Sequence, residues 1–138
     1  MSNEYIKHED VLDVRDIAEY TREAAAVVDD AENYTEDECT EAAEALKAYA
    51  EAFNDLTNID HGENWEALAD AWDELEGPTA IRESYWVEYI EGYLKEIGYL
   101  PQDLPWWIVI DWEKTAEHVK EDYTGFELDG VTYFIQLG

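Results

Sequence analysis

Phe126-Glu-Leu-Asp-Gly-Val-Thr-Tyr-Phe-Ile-Gln-Leu137 decides the fold class of this chain. Two short runs rich in aromatic and β-branched residues flank Asp129-Gly130, a dipeptide that tolerates the positive φ angles of a tight hairpin turn. A β-hairpin therefore closes the sequence. Most of the chain before it is spaced at the helical period, so the order is helices first and a hairpin last. This predicts an α+β fold, mostly α, in which amphipathic helices precede a small antiparallel sheet packed on a helix.

Working outward, Asp111 is placed to cap a helix whose Trp112, Ala116, Val119 and Tyr123 face inward, while Glu113, Glu117 and Glu121 point out at every fourth position. Before it, Pro101 and Pro105 flank a short connection, and Trp106-Trp-Ile-Val-Ile110 reads as a strand or an extended lead-in. A helix upstream turns Ile81, Tyr85, Trp86, Ile90, Tyr93, Leu94 and Ile97 inward and Glu83, Glu88 and Glu91 away, with Gly98 as its C-cap. Trp65, Leu68, Ala69, Trp72 and Leu75 mark another helix, ended by Gly77-Pro78.

The first half reads as two longer helices. Val14, Ile17, Ala18, Thr21, Ala24, Ala25 and Val28 share one face from about residue 13 to 30. Thr35-Glu-Asp-Glu38 has the form of a capping box. The helix it opens carries Cys39, Ala42, Ala43, Leu46, Ala50, Phe53 and Leu56 on its apolar side. Asp37, Glu41, Glu44, Glu51 and Asp55 lie opposite, an acidic stripe more than roughly 25 Å long at the helical rise. Three regions result: helical segments over 1–56 and 57–100, and a small α+β region over 101–138, packed as one unit or separately. No repeat and no low-complexity tract interrupts them.

Charge is the dominant compositional fact. Asp and Glu number 36 against eight Lys and Arg, giving a net charge of -28. With 46% hydrophobic and 14% aromatic residues, including Trp65, Trp72, Trp86, Trp106, Trp107 and Trp112, the chain still has ample apolar area for a core. That composition excludes a disordered acidic tail. Such a surface repels nucleic acid and anionic membranes and attracts cationic partners. No run is long and apolar enough to span a membrane, and the opening MSNEYIKHED lacks the apolar region of a secretory signal. With Cys39 as the single cysteine, the expectation is a cytoplasmic protein.

The sequence offers little for catalysis. His8, His61 and His118 stand far apart, outside any zinc spacing, and read as surface residues. Cys39 reads as structural. Residues 58–64 match a calcium loop only loosely, and no glycine-rich turn opens a helix to cradle phosphate. The expectation is a protein that is not an enzyme and needs no cofactor or metal. Solubility alone would be served by a net charge of about 2–8. Two causes compete for the excess. One is adaptation to high salt, as in an acidic halophilic domain; an acidic chaperone that binds a basic protein such as a histone belongs to the same alternative reading. The other is mimicry of nucleic acid. B-DNA carries one charge per about 1.7 Å of axis, so the surplus carboxylates correspond to at most roughly 14 base pairs. The candidate partner-binding carboxylates are Asp37, Glu41, Glu44, Glu51, Asp55, Glu83, Glu88, Glu91, Glu113, Glu117 and Glu121.

Over about residues 80–137 the order of short motifs resembles the C-terminal region of ArdA-type antirestriction proteins. The motifs are Glu83-Ser-Tyr85, Tyr89-Ile-Glu-Gly-Tyr-Leu-Lys-Glu-Ile-Gly98-Tyr-Leu-Pro101, Leu104-Pro105, Ile110-Asp111-Trp112-Glu113, Ala116, Asp122-Tyr123 and Asp129-Gly130-Val131-Thr-Tyr-Phe134. The resemblance implies a DNA mimic encoded by a phage or mobile element. Such a protein evades host defence in the host cytoplasm by filling the DNA groove of a type I restriction–modification enzyme, and forms a homodimer. Two departures leave the target open to a different restriction system, a CRISPR effector or another DNA-binding enzyme. The family usually opens with a small β-rich domain where residues 1–56 here read as helices. It also often carries a basic residue just before the position of Asp122, where this chain has Glu121.

Overall fold

A computed structural model of the protein describes residues 5–98 and 105–137. The mostly helical α+β class holds. Strand β1 (Val11–Asp13) leads directly into helix α1 (Val14–Asp29), followed by α2 (Glu36–Thr57) and α3 (Trp65–Asp73). Strand β2 (Thr79–Arg82), helix α4 (Trp86–Glu96), helix α5 (Trp112–Lys120) and the hairpin of β3 (Thr124–Leu128) and β4 (Val131–Ile135) complete the chain. The four strands form one antiparallel sheet in the order β1-β2-β4-β3. Strands from all three sequence regions thus share a single sheet.

Local chemistry sets most boundaries. Asp13 caps α1 by accepting the Arg15 N–H at 2.9 Å. Thr35 and Glu38 form the expected capping box, with bonds of 3.1 and 3.0 Å. Asn64 and Asp111 cap α3 and α5 at 3.2 and 3.1 Å. Gly98 adopts φ 76° just beyond α4, as a C-terminal glycine should. At the hairpin, Asp129 and Gly130 take φ values of 50° and 82°, the two positive angles of a tight primed turn.

The sheet separates two helical layers. Ala80, Phe126, Leu128, Tyr133 and Ile135 pack with residues of α1, α2 and α3 in the larger core, whereas Ile81 and Phe134 pack with Trp86, Ile90 and Ala116 of α4 and α5. Alternation explains the division, because successive strand side chains point to opposite faces. Trp72 is fully buried at the centre of the larger core, edge-on to Phe53 at 5.0 Å and tilted against Phe126 at 5.8 Å. On the other side Trp86 meets Tyr123 and Phe134 edge-on, and its indole N–H donates to the Ala116 carbonyl at 2.9 Å.

Several sequence expectations are corrected. Residues 79–82 are a strand, not the first turn of the fourth helix. Ala80 and Ile81 are consecutive and both fully buried, in different cores, and only an extended backbone with a partner on each edge satisfies that. Glu83 consequently sits in a 3-10 turn, Glu83–Tyr85, ahead of α4. The buried side of α2 is rotated from the expected one: Ala45, Tyr49 and Ala52 join Ala42, Leu46, Phe53 and Leu56 inside, while Ala43 is exposed and Cys39 and Ala50 are half-buried. Tyr49 decides that rotation, because its hydroxyl donates to the Tyr5 carbonyl and its ring fills the core. Helix α3 stops at Asp73, four residues before Gly77. Pro78 instead uses its carbonyl to accept the Val14 N–H at 2.8 Å. Trp106 to Ile110 form neither strand nor helix, and the connection around Pro101 lies outside the described residues. The strand β1 was not foreseen.

Candidate interaction surface

The candidate carboxylates divide between the two helical layers. On α2, Asp37, Glu44, Glu51 and Asp55 are exposed and Glu41 is half-buried, as the packing of the opposite face against α1 and the sheet requires. Asp37 belongs to the first turn, where the helix dipole favours negative charge. Towards the other end, Glu51 and Asp55 face the hairpin. Together with Glu127 and Asp129 they rim a depression of about 290 Å³. Asp55 Oδ2 also accepts the backbone N–H of Glu127 at 2.8 Å.

Glu127 and Asp129 were not among the sequence candidates. The signal was present: inward Phe126 and Leu128 force Glu127 outward on a strand, and the turn exposes Asp129. Asp129 Oδ2 lies 3.6 Å from His8 Nε2, an ion pair whenever that histidine is protonated.

On the other side of the sheet, Glu83, Glu88, Glu113, Glu117 and Glu121 are exposed. Glu113 and Glu117 flank a depression between α4 and α5 with Asp111, Lys114 and Val87. Glu91 on the same side is half-buried, and it and Glu117 are partly neutralised within the chain. Glu91 accepts from Lys95 at 3.2 Å and Glu117 from Lys120 at 2.8 Å. Glu96, also missed, lines a groove with Glu88 on the outer side of α4.

The structure therefore brings Glu51 and Asp55 together with two new acids, and Glu113 together with Glu117. It does not bring the α2 group onto the same side of the sheet as the α4 and α5 groups. Some carboxylates are committed to the fold. Hydrogen bonds from Arg15 hold the Asp13 carboxyl below its ordinary range, and the Thr35 N–H does the same for Glu38. Asp70 and Asp73 of α3 share Arg22 of α1, at 3.0 and 2.7 Å.

The histidines are not all on the surface. His61 packs edge-on against Phe53 with ring centroids 5.2 Å apart, and the His8 side chain is only 25% exposed, whereas His118 is exposed. Among the described residues, no three His, Cys, Asp or Glu side chains are arranged to hold a metal ion, and no helix is long and apolar enough to cross a membrane. Exposed aromatic surface accompanies the acids: Trp106 is 91% and Trp107 66% exposed, just ahead of Asp111 and Glu113. No family model, curated protein or solved structure matches this chain.

Proposed function

We propose that this protein is an acidic mimic of nucleic acid that inhibits a DNA-binding host defence enzyme by occupying its DNA-binding groove, without turnover and without a cofactor. A type I restriction–modification enzyme is the first target, on the resemblance to ArdA-type antirestriction proteins, and a CRISPR effector the second. One observation carries the reading: a folded scaffold with hydrophobic packing on both faces of one sheet holds its surplus carboxylates out on the helices that cover those faces. That excess costs stability through self-repulsion. A cationic groove built to neutralise phosphates would recover the cost on binding, through the counterion release that drives DNA association.

The two-sided placement gives the reading its test. One variant carries Asp37→Asn, Glu44→Gln and Glu51→Gln on α2, and the other Glu88→Gln, Glu113→Gln and Glu121→Gln on the opposite layer. An enzyme whose channel surrounds DNA meets both faces, so both variants inhibit less than the parent. An open groove meets one face, so one variant fails while the other inhibits normally. Full inhibition by both variants would contradict the proposal.

A further inference from the structure

The outer side of α4 carries a groove that the chain does not fill. Tyr85, Tyr89 and Tyr93 follow one another at helical spacing. Their neighbouring ring centroids are 6.5 and 6.2 Å apart, and the Tyr89–Tyr93 pair is stacked within 9° of parallel. Tyr89 rests against the core beneath it, whereas Tyr93 is 42% exposed and held by its neighbour's ring. Glu88, Gly92 and Glu96 form the adjacent row, and the six residues together line a shallow cleft of about 260 Å³.

Gly92 is the floor of that cleft. It sits inside α4, where glycine is the least favourable residue apart from proline. A Cβ at this position would meet nothing within 4 Å, and its backbone is ordinary helix. Neither packing nor conformation calls for glycine here. The basic residue of α4 is also turned elsewhere, since Lys95 pairs with Glu91 and lies over the Trp112 ring at 5.6 Å. An open floor, a ladder of tyrosine rings and two carboxylates without that lysine fit one chemical group well.

We propose that this groove receives arginine side chains of the partner, with the planar guanidinium stacked against the tyrosine ladder above Gly92 and donating to Glu88 or Glu96. The inference rests on the mimic reading, which supplies a basic partner, and narrows that partner's chemistry to arginine. At the helical rise each glutamate stands about 6 Å along the axis from Gly92, within reach of a forked donor centred there. Lysine satisfies the charge but not the geometry, because a hydrated ammonium has no flat face to stack and no fork to share.

The test titrates hexa-arginine and hexa-lysine peptides into the full chain at matched ionic strength. Affinity is read by calorimetry and the site by the Gly92 amide resonance. Hexa-arginine binds about three- to fivefold more tightly, the increment expected of exposed cation–π contacts, and it alone shifts Gly92. Gly92→Leu fills the floor; its thermal midpoint rises, because leucine favours helix, while the preference for arginine disappears. Tyr93→Leu, which keeps bulk without a π face, lowers the same preference. Equal affinity for both peptides, or an arginine preference undiminished in Gly92→Leu, would overturn this site and leave the acidic-surface reading standing. Failure of both peptides to bind at low salt would overturn the site and the acidic-surface reading together.

Discussion

Asp55 Oδ2 accepts the backbone N–H of Glu127 at 2.8 Å, so an acid of the α2 stripe also fastens that helix to the first strand of the hairpin. Glu44 on the same helix is exposed and, among the described residues, makes no such bond. The two acids answer differently to removal. Asp55→Ala lowers unfolding free energy by about 1 kcal/mol, the net worth of an intramolecular hydrogen bond. Glu44→Ala stays within about 0.5 kcal/mol of the parent. Urea unfolding of both variants checks the difference.

Gly77 is required for a steric reason. A Cβ there would collide with the carbonyl oxygen of Gln136, just past the end of β4. Because the obstacle is backbone, Gly77→Ala costs about 1–3 kcal/mol, as overpacking does. At Gly92, where space is open, the same substitution is stabilising. Thermal unfolding of the two alanine variants should move in opposite directions.

Two tyrosine hydroxyls tie the segment before β1 to the larger core. Tyr49 donates to the Tyr5 carbonyl, and Tyr133 to the Glu9 carbonyl at 2.9 Å. Burial pushes the Tyr133 phenol up to about 12, and burial raises Tyr49 further still. A phenol that ionises less readily folded than unfolded leaves the folded state holding more protons at alkaline pH. Its stabilising contribution is complete below the unfolded value near 10 and is lost as pH rises through the folded value. Stability therefore falls steadily from about pH 10 towards pH 12, and tyrosinate absorbance appears together with unfolding. Tyrosinate forming at Tyr133 in a chain that remains fully folded would contradict the burial argument.

The six tryptophans separate into structural and surface groups. Trp72 is fully buried and Trp106 almost fully exposed. Trp72→Ala costs about 3–5 kcal/mol, the range for large-to-small changes in a core. The double change Trp106→Ala, Trp107→Ala stays within about 0.5 kcal/mol of the parent. Comparison of urea midpoints checks both.

Much of this fold is legible in the sequence because it is local. The caps at Thr35 and Asp111, the inward face of α1 as far as Ala24, beyond which Val27 rather than Val28 is the buried valine, and the Asp129-Gly130 turn depend on neighbours a few residues away. Strands β1 and β2 depend on partners far along the chain. Val11-Leu-Asp13 is too short to show alternation. Ile81 falls four residues before Tyr85, so the strand imitates the helical spacing of the helix that follows. On α2, alanines at 42, 43, 45, 48, 50 and 52 offer two neighbouring stripes of similar apolarity. Only the long-range contacts of Tyr49 select one. The acids were readable one helix at a time, but the sheet that sends the α2 group to one side and the α4 and α5 groups to the other was not. Glu127, Asp129 and Glu96 became visible with the surfaces they share.

The central claim is that the carboxylate surface competes with DNA. Its most direct test is displacement of labelled DNA from a type I restriction–modification enzyme by the purified protein, at low and at raised salt. The account predicts displacement near one equivalent of inhibitor per binding site at low salt, weakening steeply as salt rises because both ligands engage the groove through counterion release. Enzyme that keeps its DNA at every salt concentration, beside a protein that remains folded throughout, would contradict the account for this target. A displacement insensitive to salt would contradict the mimicry itself.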